Sequence, residues 1–487
     1  MQRAESSSYP NQPFQLPGAM LERAKQWALP LVFGLLGVWL TWLFFTVPRP
    51  FAFLAAVGVF ALSALENEAF LLFVIFLMPV GWELAGDAPV RDMHVVFHGL
   101  VVAGFFAGRL LRRGVDVRSL FRPAISRASL LFLCVAVLPT ILDKQKLSHY
   151  SLRSDLDLAA YLGFYFLILA WVNSRERLHK VLSALLLSTV FTALFAVYQV
   201  AIGGFGSLWF ALYPPGDRDP SWGGRAASLL PGANSLAGYL GLILPFALAC
   251  YVVGEGRWKK LGKWTLGLGS IALFTTQSLG GIFGLVAVLA LGVFSFVRTA
   301  RRRLALLGCL CISTCLLYLF RHIVNPVHTN GFVEFDTATR IWVWAIAWNL
   351  FAHSPVLGIG WGNFTAVYDL GDVYFVPDKD AAHNLYLQLL AETGLAGFLA
   401  FFYLAVQSWR QAQRQWRRSE DFIDRALAFG VKGALLSILV HGLVDFMFQN
   451  TPQYGTLFWT MLALLVVSSR ESAAAQHLRL QPEQPGL

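Results

Sequence analysis

Long apolar runs separated by short polar stretches fill the chain from residue 27 to residue 469. About fourteen stand out, near 27–46, 50–64, 69–84, 93–111, 128–142, 156–173, 180–202, 233–254, 264–278, 281–298, 303–320, 384–408, 427–448 and 455–469. Most approach the roughly 17–25 residues that a helix needs to cross a bilayer. Strand-like alternation is absent, so the runs read as helices rather than barrel strands. The pattern predicts an all-α polytopic membrane protein of about 12–14 transmembrane helices. Residues 1–23, rich in Ser, Pro and Gln, read as a disordered cytoplasmic tail without the charge, short apolar run and cleavage site of a signal peptide. A transmembrane bundle is expected over 24–320, a large external loop over 321–382, C-terminal transmembrane helices over 383–470 and a second cytoplasmic tail over 471–487.

Composition agrees with this reading and adds an orientation. Hydrophobic residues make up 56% of the 487, against about 45–50% in soluble domains. The 16 Trp and 14 Tyr suit interfacial belts. The net charge of +10 does not point to nucleic acid, because the Lys and Arg lie in short loops between spans. If the N-terminus is inside and the spans alternate, the basic stretches at 109–127, 175–180, 257–263, 298–303 and 410–425 all fall on one side. The positive-inside rule makes that side, and both termini, cytoplasmic. Five Cys lie in apolar runs; Cys309, Cys311 and Cys315 have a metal-like spacing but sit where a thiolate is costly, so they read as packing residues.

The opposite side receives loops over about 143–155, 204–232 and 321–382. In the longest, Thr337–Phe351 reads as an amphipathic helix ended by His353-Ser354-Pro355, and Gly358-Ile359-Gly360-Trp361-Gly362-Asn363-Phe364 as a tight turn. Polar side chains expected at this face are Arg225, Arg340, His383 with Asn384, the i, i+4 pair His441 and Asp445, and Gln277 with Ser278. Two guanidiniums beside an imidazole suit an anionic substrate and a proton transfer, which together fit glycosyl or phosphoryl transfer. Plainer readings stand beside this one. Either Arg is equally an interfacial anchor, a His at a span end is often structural, and His441 and Asp445 can simply satisfy each other. A helix from His383 to Trp409 has 27 residues, roughly 40 Å. It would lift His383 to headgroup level and put Glu392 on the side away from it.

At these residues the chain resembles the O-antigen ligase and polymerase superfamily. The likeness is carried by His383-Asn384-Leu-Tyr386-Leu387-x2-Leu390-x-Glu392-x-Gly394-x2-Gly397, by Arg340-x3-Trp344 followed by Pro355 through Phe364, by Arg225 through Pro231 and Asn234, and by His441-x3-Asp445. It covers about residues 220–450. One departure stands out: where many members carry Ser-Arg-Gly, this chain reads Thr275-Thr276-Gln277-Ser278-Leu279-Gly280-Gly281. The resemblance implies a C-type, inverting integral-membrane glycosyltransferase of the bacterial inner membrane, with no cofactor or metal. Its donor would be an undecaprenyl-pyrophosphate-linked glycan at the periplasmic leaflet. By the same resemblance His383 is the catalytic base, Arg225 and Arg340 bind the pyrophosphate, and Asn384, His441, Asp445, Asn234 and Gln277 support them.

Two rivals stand beside this reading. External Asp217-Arg218-Asp219 and Asp378-Lys379-Asp380 suit a metal-dependent glycosyltransferase. A lipid-linked polysaccharide flippase is the rival of another class, but transporters concentrate ionisable groups at the midplane. Within the leading class the acceptor stays open among lipid A-core, a lipid-linked glycan repeat and a protein side chain. The high span count leans toward a polymerase.

Overall fold

The computed structural model describes residues 49–80, 91–112, 114–143, 149–201, 225–324, 332–364, 366, 381–449 and 451–480. Among the described residues there are fifteen helices and no strand. The N-terminal part runs α1 (Arg49–Ala64), α2 (Glu68–Phe76), α3 (Arg91–Arg112), α4 (Val117–Phe121), α5 (Ala124–Leu142), α6 (His149–Trp171) and α7 (Arg175–Ala201). The centre holds α8 (Ala233–Val253), α9 (Gly256–Thr275), α10 (Leu279–Phe296), α11 (Ala300–Val324) and α12 (Phe332–His353). The C-terminal part is α13 (Leu385–Arg418), α14 (Phe422–His441) and α15 (Pro452–Leu480). The protein is an all-α polytopic membrane protein. Six of the described helices are long and apolar enough to cross a bilayer by length and composition alone, and a bent pair would make seven. The expected tail 1–23, the run 27–46 and both Asp-x-Asp pairs lie outside the described residues.

Three expectations change on detail. The run 69–84 becomes α2, nine residues long and so about 14 Å, set at 115° to the helix before it. The run 427–448 stops at His441, which leaves Asp445 beyond the helix end. The helix begun after His383 is one run of 34 residues to Arg418, but it breaks at Gly394 (φ 61°, ψ −167°).

The break has a visible cause. Residues 355–360, a turn followed by irregular backbone, run alongside it: Ile359 and Gly360 donate to the carbonyls of Ala391 and Glu392, while Leu395 and Ala396 donate to those of Pro355 and Val356. The carbonyls and amides that a helix break leaves open are thus satisfied by another segment. The two backbones meet at Gly358 and Gly394, where a Cβ would lie 2.3 Å from the carbonyl carbon of Glu392 and 2.4 Å from that of Val356, respectively. Both have positive φ, so glycine is needed twice over.

α8 is the hub. Nearly every residue of it is buried, and it packs against α9, α10 and α14. Small residues allow the close approach expected of helices in lipid. Gly430 and Gly433 of α14 face Phe246 and Pro245, and Gly241 and Gly284 face Ser437.

Ion pairs anchor three of the basic stretches expected on one side, 109–127, 175–180 and 410–425. Glu66 meets Arg109, Glu68 meets Arg177 and Lys180, and Arg175 grips Asp424 with bonds of 2.6 and 2.9 Å. Asp424 is fully buried and also accepts from Ser419 and Ser468. Removing one partner of a buried pair strands the other. Arg175 is 32% exposed and keeps Asp421 at 3.8 Å, so Asp424→Ala should lower unfolding free energy by about 1–3 kcal/mol, read as a reduced Tm in lipid. An unchanged Tm would show that Arg175 is solvated in the folded protein.

Candidate functional site

His383 directly precedes the N-cap of α13, and the local sequence explains its posture. Asn384 is the N-cap: its side-chain oxygen accepts from Tyr386 and Leu387 at 3.0 and 3.1 Å. Its amide donates to the Leu443 carbonyl at 3.0 Å, and the Leu385 N–H donates to the Gly442 carbonyl at 2.7 Å. Just upstream, the Ala382 N–H donates to Gln388 Oε1 at 2.6 Å. Between these ties His383 holds φ 45°, a conformation that costs a non-glycine residue of order 1–3 kcal/mol and persists only where the surroundings fix it. The side-chain hydrogen bonds of Asn384 thus all go to backbone groups.

The imidazole partner is Asp445. His383 Nδ1 and Asp445 Oδ1 are 3.0 Å apart. An ionised carboxylate only accepts, so Nδ1 carries the hydrogen, and in the neutral ring Nε2 is left as a bare acceptor. Nε2 is buried and has no partner among the described residues. Burial alone would raise the Asp445 carboxyl. The hydrogen bond and charge of His383, with the nearby His441 and Arg340, outweigh burial and hold it well below the usual carboxylate range.

The other expected residues gather around this pair. Arg340 donates through Nη1 to the carbonyl of Val444, next to Asp445, so it points into the site instead of snorkelling to an interface. His441 and Asp445 do not bond each other through their side chains. The ring of His441 lies over Gly280, where a Cβ would come within 2.4 Å of Cδ2. That glycine is in the first turn of α10, whose Ser278 N-cap accepts from Gly281 at 3.4 Å. A helix N-terminus with its positive dipole end therefore borders the His441–Asp445 turn.

Arg225 supplies charge to the same border. Its Nε donates to the Thr276 carbonyl at 2.8 Å and its Nη2 to Asn234 Oδ1 at 2.7 Å. The Ala226 N–H also donates to the Thr275 carbonyl at 3.1 Å. The 275–278 turn, in which Gln277 holds φ 54°, thus receives a guanidinium from Arg225. Asn234 orients it, while Gln277 shapes the turn through its backbone. The arrangement offers a bare imidazole nitrogen, a carboxylate that fixes its tautomer, and two guanidiniums beside a helix N-terminus. This set can take a proton and stabilise a phosphate-bearing leaving group.

Three residues of this neighbourhood escaped the sequence reading as a connected group. Buried Glu392 and Gln388 and half-buried Gln449 form a chain of hydrogen bonds behind His383. The signal available was a Gln and a Glu within an apolar helix, one turn apart.

Residues 264–402 match the family model Wzy_C, described as O-antigen ligase. The match bears out the resemblance and supports a glycan-transfer role. It takes in Gln277, Arg340, His383, Asn384 and Glu392, while Arg225, Asn234, His441 and Asp445 lie outside it and join the site through the fold. Comparison with curated proteins gave no match.

Proposed function

We propose that the protein transfers a glycan from an undecaprenyl-pyrophosphate donor to an acceptor hydroxyl at the periplasmic face of the inner membrane, with inversion. The observation that carries this reading is the His383–Asp445 pair, with imidazole Nε2 unpartnered and Arg340 bonded beside it. The acceptor oxygen attacks the anomeric carbon and its proton passes to His383 Nε2. The bond from the anomeric carbon to the pyrophosphate oxygen breaks, and undecaprenyl pyrophosphate leaves. Arg225 and Arg340 bind the pyrophosphate and counter the charge that develops on it. The polyprenyl chain stays in the bilayer, so the protein has only to orient the headgroup and the acceptor.

A second reading draws on the break in α13, since transporters build substrate sites from broken helices. Here the broken backbone is hydrogen-bonded to residues 355–360 instead of lining an open path, which favours the transferase.

The test uses the full chain in lipid, supplied with an undecaprenyl-pyrophosphate glycan and candidate acceptors, with and without a chelator. Release of polyprenyl pyrophosphate that survives the chelator is the expected result, and the extended acceptor then separates ligase from polymerase. Release abolished by the chelator would move the mechanism to a bound cation. Lipid-linked glycan crossing the bilayer without new glycosidic bonds would replace the proposal with the flippase.

A further inference from the structure

Behind the His383–Asp445 pair lies a carboxylate with no part in the proposed chemistry. Glu392 is fully buried in the short first segment of α13, just before the break. Burying a carboxylate is costly unless its oxygens are satisfied, so packing alone does not explain it. Its Oε1 accepts from the Phe364 N–H at 3.0 Å and its Oε2 from the side-chain amide of Gln449. Each bond leads to one half of the site.

The first leads to Arg340. Phe364 closes the glycine turn that follows residues 355–360. Its ring is fully buried in a small cluster with Val343 and Ala347 of α12, Ala382 and Ala391. Val343 is three residues after Arg340 on the same helix, and Ala382 immediately precedes His383. The second leads to His383. Gln449 Oε1 accepts from Gln388 Nε2 at 3.4 Å, and Gln388 Oε1 holds the Ala382 N–H at 2.6 Å, next to the positive-φ histidine. On the other side of the turn, Trp361 meets Phe446, the neighbour of Asp445, edge-on at 5.8 Å.

We propose that Glu392 is a positioning residue: its carboxylate latches the 355–364 segment onto α13 and so fixes the helix of Arg340 relative to His383. It touches neither substrate nor reacting atoms. The inference rests on the proposed transferase reading for its catalytic consequence, but the latch itself is a property of the fold.

The experiment compares wild type, Glu392→Ala and Glu392→Gln in lipid by hydrogen exchange and by steady-state release of polyprenyl pyrophosphate. Glutamine keeps an acceptor for Phe364 and serves as the conservative variant. In Glu392→Ala, peptides covering 355–364 and 381–388 should exchange at least about tenfold faster, while peptides over 424–435 at the far end keep their protection. The kcat should fall by about 10²-fold, the size expected for a misplacement of about 1 Å, with donor KM within about threefold. Glu392→Gln should recover most of both. The double variant with His383→Ala should be no slower than His383→Ala alone, because a positioning residue acts through the group it positions.

Unchanged exchange at 355–364 in Glu392→Ala would overturn the proposal. So would acceleration in all peptides alike, which marks a general folding defect, or wild-type kcat despite local opening. If the wild-type chain releases no polyprenyl pyrophosphate, the transferase reading falls. The exchange pattern still decides whether Glu392 holds the latch.

Discussion

Replacing His383 by Ala should lower kcat by about 10²–10⁴-fold, the usual contribution of a positioned general base, while the protein stays folded. The side chain makes one described bond, to Asp445 at 3.0 Å, so its removal leaves the backbone ties of Asn384 and Leu385 intact. Alanine also tolerates the positive φ poorly, and His383→Asn is the better-folded control because Asn enters that region more readily. Asp445→Asn should fall in the same range, since a neutral amide no longer selects the tautomer that leaves Nε2 bare. Asp445 is held below the usual carboxylate range. Its stabilising contribution is therefore complete above the unfolded value of about 4 and fades only as pH falls toward the lower folded value. It keeps its charge across neutral pH and adds no inflection of its own there. Wild-type kcat in a folded His383→Ala protein would remove the base from the mechanism.

Much of this site could be read from the sequence because its parts break local rules. A His-Asn pair opening an apolar helix, arginines in loops opposite the basic ones and a run of glycines after Pro355 are all visible without a fold. The pairing was less plain: the resemblance offered Asn384 or Asp445 to orient the imidazole or the acceptor, and the residues alone did not choose between them. His441 and Asp445 share a helical spacing and looked like mutual partners, yet α14 ends at His441 and the chain turns there. That turn carries Asp445 to His383, 62 residues away in sequence. Helical periodicity cannot foresee where a helix stops when no proline or charge marks the end, and here Gly442 marks it only weakly.

The break at Gly394 was hidden for a related reason. An isolated glycine within an apolar run is tolerated in a helix, at about 1 kcal/mol, and so the run reads as continuous. What breaks it is the segment at 355–360, whose amides compete for the same carbonyls. The consequence for Glu392 follows directly. On a continuous helix it points away from His383 and is left only to shape the helix near Gly394 and Gly397, whereas beside a break it meets Phe364 and Gln449.

Removing Arg340 should cost about 10²–10³-fold in kcat, the typical loss of one preorganised donor to a developing negative charge. Arg225→Ala should cost a similar factor, because its guanidinium lies at the Thr276 turn that opens the same α10 N-terminus. The two losses should combine to less than their product if both side chains hold one pyrophosphate, since groups that act as a unit are not additive. Arg340 has a second task that complicates the alanine variant: its bond to the Val444 carbonyl steadies the turn that carries Asp445. Arg340→Lys separates the two. A lysine keeps the charge and one donor but loses the planar fork that matches phosphate oxygens. It should therefore retain the fold and the His383–Asp445 pair while recovering only part of the lost rate. Full activity in Arg340→Lys would reduce the residue to a point charge. Full activity in both alanine variants would leave the leaving group without its counter-charge, and the transferase chemistry could not be assigned to this face of the protein.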